Sequence, residues 1–518
     1  MNIEFKHLLS IVVLFIVFSC SKKVIDSDIL IKNGIVYNGL DTIPKNHSIA
    51  IKDGVIIFIG DESLSIIKAT KTIDAKGLIV CPGFIDPHTH ADRDLITIEK
   101  SHNKPFLYQG VTTVIVGNDG SSFYPTIKYK KLYKDQRIGT NIVLLVGHGT
   151  IREQVIGKND RKATDEEIIE MQKLVQQEMT NGAFGLSTGL FYAPGSYSNT
   201  EEIIALAKTT AKNHGIYDTH LRDESSYNIG LIPAIEEAIE IGRQAKLPIH
   251  ISHIKCLGID VWHQSDSIID IIEKARKEGI DVTANQYPYD ASATGLQAAV
   301  VPRWAESGGK DSIFTRYNNP NFRKLILEET TTNIKRRGGP DKLLIVKSTD
   351  SIFIGKDLLE ISKVLEISPA EAVFEILKKG YARVASFNMT PYDIENLMKQ
   401  DWVVTSSDGN TGHPRKYGSF PRKYHQYVKQ KKVIDLPTYI NNCTSRTADI
   451  FKIPKRGKLI EGNYADIIIF KPEAFKDKAD YINAFQLAEG IEYSIINGKV
   501  SIEKGISTEK LNGKVLDK

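Results

Sequence analysis

Cysteine is scarce, with 4 residues in 518. That excludes a scaffold built on disulfides. Arg and Lys form no tract, and 67 basic against 63 acidic residues leave a net charge of +4. Over this length the balance is near neutral, so nothing points to a nucleic-acid partner. No 20–50-residue repeat and no low-complexity segment occurs, which excludes solenoids, propellers and disordered arrays. Long apolar runs are also missing. The only conspicuous one, Leu8–Phe18, is interrupted by Ser10 and is too short to span a bilayer. What remains is ordinary globular material. The chain is 41% hydrophobic and 25% charged, enough to enclose a large core.

The first residues differ from the rest. Lys6 and His7 precede the apolar run, as in a signal peptide. Val17-Phe18-Ser19-Cys20 resembles a bacterial lipobox, in which the cysteine is lipidated and becomes the first residue. The expectation is a leader over 1–19, a lipid anchor on Cys20 and an exported protein, periplasmic or at the cell surface. It would touch the membrane only through the anchor. An ordinary signal peptide with an incidental cysteine is the alternative. Cys81, Cys256 and Cys443 then remain as scattered, buried thiols.

Both ends of the mature chain are strand-rich. Ile29–Tyr37, Ser48–Ile51, Val55–Ile59, Ala465–Phe470 and Glu492–Ile496 are β-rich, and Asn33-Gly34, Asp53-Gly54 and Asn497-Gly498 are turn signals. Residues 24–82 and 452–505 are expected to build one β-sandwich from both termini. The middle, 83–451, alternates short apolar strands with amphipathic helices, the pattern of a parallel α/β sheet. Thr164 with Glu167 and Ser368-Pro369 with Glu371 mark helix starts; Gly182 and Gly380 mark stops. Eight strands are expected: Gly83–His88, Thr112–Gly117, Ile142–Val146, Phe184–Thr188, Ile216–His220, Pro248–His253, Asp281–Tyr287 and Trp402–Ser407. Eight is the number of a (β/α)8 TIM-like barrel, although an open doubly wound sheet fits the same pattern. Residues 290–345 exceed a normal connection and are expected to form an inserted subdomain.

Chemistry gathers at the strand ends. His88 and His90 close the first strand two residues apart, so their imidazoles share a face. Asp119 follows the second strand, His220 the fifth, His253 the sixth and Asp408 the eighth. In a closed barrel these ends converge on one face. Nitrogen and oxygen donors without thiolate suit Zn²⁺ or a similar divalent ion.

These motifs resemble the amidohydrolase superfamily: Pro82-Gly83-Phe84-Ile85-Asp86-Pro87-His88-Thr89-His90, single histidines after strands five and six, and an aspartate after strand eight. Gln109–Asn118, Gly147-His148-Gly149-Thr150, His220–Glu224, Ser252-His253-Ile254-Lys255, Gln286-Tyr287-Pro288-Tyr289 and Ser407-Asp408-Gly409 with His413-Pro414-Arg415 are similar to the N-acyl-D-amino-acid deacylases. The resemblance implies a metal-dependent hydrolase that frees a D-amino acid from a small-molecule N-acyl substrate. Asp119, His220 and His253 would hold the main Zn²⁺, with His88 and His90 completing a second, weaker site. Asp408 would be the proton shuttle and a ligand. Lys255, Tyr287 and Arg415 would bind the α-carboxylate, and Arg303 would read a polar or acidic side chain. His148, His250, Arg222 and Asp223 would be supporting residues.

One departure stands out. The family usually has Cys where this chain has Asp119. A carboxylate can also bridge two metal positions, but it is harder than thiolate. No lysine follows the fourth strand, in Phe184–Leu190, unlike the cyclic amidases. Two other readings stay open: a D-dipeptidase or cyclic amidase on the same scaffold, and a tethered solute-binding lipoprotein.

Overall fold

The computed structural model describes residues 23–62 and 65–518. The expected leader and Cys20 lie outside the described residues. Among the described residues, no helix is long and apolar enough to cross a membrane.

Two sheets are built from the chain ends. In one, Lys23–Lys32 lies between Ser48–Lys52 and Ser65–Asp74, and Val55–Gly60 forms the edge. In the other, Ile35–Val36 and Ile79–Pro82 are continued by Ile467–Phe470, Ile491–Ile496, Lys499–Glu503 and Ile506–Ser507. Period-two alternation puts Ile29, Ile31, Ile49, Ile51, Ile467 and Ile495 into one apolar cluster between the sheets. Each such side chain contributes ~1.5–3 kcal/mol by leaving water.

Asp53-Gly54 and Asn497-Gly498 have positive φ at both residues (50° and 82°, 51° and 74°) and close two hairpins. Asn33-Gly34 does not make a hairpin. There the chain crosses from one sheet to the other, and a Cβ on Gly34 would stand 2.5 Å from the Val80 side chain. Ser65–Asp74 escapes a reading by hydrophobicity, because its only fully buried residue is Ile73. The polypeptide also continues beyond residue 505. Val515 bridges to Ile142, and Leu516 donates its backbone N–H to the Ile142 carbonyl.

The middle contains eight successive parallel strand segments at the expected places: Phe84–Asp86, Val111–Val116, Asn141–Leu144 (resuming as Val146–Gly147), Gly185–Gly189, Ile216–His220, Ile249–Ile251, Val282–Gln286 and Val403–Thr405. Each pairs in parallel with the next. A parallel bridge between Thr89 and Gly409 ties the segment after the eighth strand to that after the first. The capping boxes at Thr164 and Ser368 are formed.

The insertion is longer than 290–345. Ala291–Gly295 and Leu343–Ser348 flank Ala382–Phe387 in an antiparallel sheet of their own. Pro320–Arg336 and Pro369–Lys378 cover it, with Ile326, Phe374 and Val384 in a shared core. Its central strand follows the second of these helices, so connection length alone marks the insertion's start but not its end.

Candidate metal centre

Tight turns seat the residues at the strand ends. Asp119, His253 and Asp408 all adopt positive φ (55°, 36° and 46°), a strained region for non-glycine residues that clusters at functional sites. Glycines make room for the Asp119 loop. A Cβ on Gly189 would meet the Asp119 carbonyl at 2.1 Å, and one on Gly120 the Gly189 nitrogen at 2.7 Å. Asn118 fixes the loop below. Its amide donates to the Pro87 carbonyl and to Asp218, and its oxygen accepts from the Thr89 N–H.

Asp119 is the hub. Its Oδ1 lies 3.3 Å from His88 Nε2, 3.3 Å from His253 Nε2 and 3.6 Å from His220 Nδ1. Its Oδ2 lies 3.3 Å from His90 Nε2. Asp408 Oδ1 is 3.3 Å from the same His90 nitrogen and 3.9 Å from His88 Nε2. Two groups of donors result, His88–His90–Asp119–Asp408 and Asp119–His220–His253, with the atoms of each within 4.8 Å of one another. All six expected ligand residues are therefore brought together.

The donor chemistry fits a divalent metal. Burial holds His88 down at about 4 against the pull of Asp119, so the ring is neutral with a lone pair to give. Both its ring nitrogens are buried without a hydrogen-bond partner among the described residues. Burial pushes Asp119 up, but its imidazole neighbours, His88 and the hydrogen-bonded His220 and His253, hold it well below the carboxylate range. Burial opposes the ionisation of Asp408 too, and the Arg415 guanidinium overrides it.

A cavity of about 400 Å³ opens above these groups, bordered by His90, Asp119, His220, His253 and Asp408. Lys255, Tyr287 and Arg415 border it as well. Arg415 Nη2 pairs with Asp408 Oδ2 at 2.8 Å and donates to the Ala293 carbonyl at 3.3 Å. Its guanidinium lies over the Tyr287 ring, 4.7 Å from the centroid. Arg415 Nε and Nη1 and the Tyr287 hydroxyl are buried with no partner among the described residues, an uncommon state for such strong donors.

Lys255 borders the cavity as expected, but its charge is shared: Nζ lies 2.5 Å from Glu224 Oε1 and 2.7 Å from His253 Nδ1. One expectation is corrected. Arg303 does not border the main cavity but a neighbouring one, behind Phe191. It stacks on that ring at 4.4 Å and is taken up by Glu306 and the Ala298 carbonyl. An arginine in the insertion could not be placed by motif, because the insertion has a core and register of its own.

The four residues expected in supporting roles are buried and hydrogen-bonded. His148 bonds Glu202 at 2.8 Å, and His250 bonds Thr283 and Asn285. Arg222 forks onto Glu237, and Asp223 caps the N–H groups of Ser225, Asn228 and Gly230. Sequence reasoning passed over Glu224, Tyr192 and Arg383, all at the cavity. Glu224 had a signal, since it lies four residues after His220; Arg383, on the insertion's central strand, had none.

The sequence matches the amidohydrolase family over residues 71–502. It is 30% identical to a D-aminoacylase of Alcaligenes xylosoxydans xylosoxydans, over 94% of this chain and 97% of that protein. An N-acyl-D-glutamate deacylase of the same organism is 27% identical, over 91% and 93%. The crystal structure of the N-acyl-D-glutamate deacylase of Bordetella bronchiseptica, in complex with zinc and a phosphonate inhibitor that mimics the tetrahedral intermediate, superposes with a TM-score of 0.81. That match is 26% identical and covers 95% of this chain and 100% of the other. On its sequence, its fold and its converging strand-end donors, the chain belongs to the amidohydrolase family, in its D-aminoacylase branch.

Proposed function

We propose that the protein hydrolyses the amide bond of N-acyl-D-amino acids, giving a carboxylate and a free D-amino acid. The observation that carries this is a carboxylate-bridged cluster of four histidines and two aspartates beside unpartnered, buried cationic donors. The relatives supply the reaction and the D configuration: a D-aminoacylase and D-amino-acid deacylases cover nearly the whole chain. The eight parallel strands are read as a closed (β/α)8 barrel, 83–451, carrying the insertion; the two terminal sheets form the β-sandwich domain. A lipid anchor at Cys20, with export, rests on the lipobox alone.

Asp119, His220 and His253 would hold one metal, read as Zn²⁺ from the zinc-bound relative. His88, His90, Asp119 and Asp408 offer a second position. A divalent cation so bound polarises an amide carbonyl and acidifies water. Asp408 is the proton carrier. Its Oδ2 is committed to Arg415, which leaves Oδ1 to accept a proton from the attacking water and return it to the departing nitrogen. Arg415 Nε and Nη1, with the Tyr287 hydroxyl, receive the substrate's α-carboxylate, since a charged acceptor satisfies them best. Glu224 claims part of Lys255, so that residue contributes at most a remaining N–H.

The test is a hydrolysis screen of N-acetyl-D- and N-acetyl-L-amino acids, with metal analysis of the same sample. Turnover of D substrates by protein that holds about one or more divalent ions is expected. Metal-loaded protein that turns over only cyclic amides or dipeptides would replace this reading with the cyclic amidase or D-dipeptidase one.

A further inference from the structure

We infer that Glu224 is a positioning residue for the metal centre: one buried carboxylate that holds the outer nitrogen of His253 and faces that of His220, orienting both rings toward the metal. The inference rests on the metal reading above.

The two rings face Asp119 through different nitrogens, His220 through Nδ1 and His253 through Nε2. The opposite nitrogens therefore point away from the cluster, and both point toward the same side chain. Glu224 Oε1 lies 3.0 Å from His253 Nδ1, and Oε2 lies 3.7 Å from His220 Nε2. A neutral imidazole gives its lone pair to a metal only from the nitrogen that lacks the proton, so the outer nitrogen must carry it and needs an acceptor. Glu224 Oε1 is within hydrogen-bond distance of His253, and Oε2 faces His220 from beyond it.

Lys255 also contacts His253 Nδ1, but an ammonium has no acceptor. It cannot stabilise a proton on that nitrogen. Its use is on the other side of the carboxylate, where Nζ donates to Glu224 Oε1 at 2.5 Å. A buried carboxylate is costly without a counter-charge. Lys255 supplies that counter-charge. Burial of all four side chains leaves little water to substitute: His220, Glu224 and Lys255 are each 5% exposed and His253 is 2% exposed.

Local sequence explains the placement. His220 ends a strand, and Leu221–Glu224 turns back over the strand mouth. The Glu224 carbonyl accepts from the Leu257 N–H, which pins this turn to the one that carries His253 and Lys255.

The experiment is Zn²⁺ affinity by chelator competition, with the Co²⁺ absorption spectrum as a second readout, on the wild type and Glu224→Gln. A Gln can accept at one ring but presents NH₂ to the other. Zn²⁺ affinity should fall ~10- to 100-fold, the usual cost of losing such an outer partner, and the Co²⁺ bands should shift. Should Glu224→Gln fold poorly because Lys255 is left unpaired, the double variant Glu224→Gln/Lys255→Met removes both charges. It should fold and still bind weakly. Wild-type affinity and an unchanged Co²⁺ spectrum in either variant would overturn the inference while leaving the metal centre standing. A wild type that binds no divalent ion would overturn both.

Discussion

The two halves of the centre are supported unequally. On one side, His220 and His253 have outer nitrogens that face Glu224, and Glu224 is itself answered by Lys255. On the other, His88 has no hydrogen-bond partner at either nitrogen among the described residues, and His90 is the most open of the six expected ligands, its side chain 24% exposed. A ligand whose outer nitrogen is held has less freedom to lose on binding and a fixed tautomer. The difference teaches that the His220–His253 side is pre-organised and the His88–His90 side is completed by whatever it binds. On the proposed reading, the supporting contacts, and not the ligand types, would make the His220–His253 position the tighter one.

The sharpest way to break this comparison is to remove the residue the halves share. Asp119→Ala should purify with metal content and activity both reduced by an order of magnitude or more, by metal analysis and turnover on one sample. His88→Ala should remove only the loosely held ion. If Asp119→Ala retains full metal and rate, Asp119 is a turn residue and the halves are independent. Asp119→Cys should restore metal binding. With aspartate in place, Mn²⁺ or Co²⁺ should substitute for Zn²⁺ more readily than with cysteine, because carboxylate is the harder donor.

Asp408→Asn comes next. It keeps the shape and removes the basicity, so kcat should fall ~10²-fold or more, within the usual range for acid–base groups. The tight metal should remain, since Asp408 stands only on the His88–His90 side. Near-normal turnover by a metal-loaded Asp408→Asn enzyme would refute its role as proton carrier.

Much of this was legible in the sequence, for a physical reason. The eight parallel strands are short apolar runs, and the six expected ligand residues follow five of them, where local pattern and global fold agree. Asp119 could be picked out because it follows the second strand, at the position where the similar family has its cysteine. What escaped depends on long-range packing. The direction of Lys255 is set by Glu224, 31 residues away. Arg303 is turned aside by Glu306 within a core that the sequence marks only as a long connection. Ser65–Asp74 pairs in parallel with Lys23–Lys32 but buries little, so hydrophobic alternation does not reveal it.

A smaller effect is expected at Arg415, whose two unpartnered nitrogens contrast with the one committed to Asp408. Arg415→Lys keeps a charge near Asp408 but loses the planar donor set. For substrates with a free α-carboxylate, kcat/KM should drop ~10- to 100-fold, the weight of a charged hydrogen bond. For an amidated substrate the drop should be much smaller. Equal losses on both substrates would place Arg415 with Asp408 alone.

The contrast between partnered and orphaned groups recurs in the lysines, and here the readout is stability. Lys255 is buried against Glu224, whereas Lys423 is fully buried and its Nζ has no partner among the described residues. Burial lowers Lys423 from the usual 10.5 to about 8. Between those values the unfolded chain binds the proton and the folded one does not, so this group's contribution to stability rises with pH through that window. Below pH 8 both states are charged and the folded state carries the whole penalty, on the order of 3 kcal/mol at about 1.4 kcal/mol per pH unit. Lys423→Met should therefore raise the denaturant midpoint at pH 7, and the gain should shrink from pH 8 upward and vanish near 10.5. Lys255→Met should do the opposite at pH 7, because it strands the Glu224 carboxylate. A Lys423→Met variant less stable than wild type at pH 7, or a difference that does not change with pH, would show that Lys423 is not an orphaned charge.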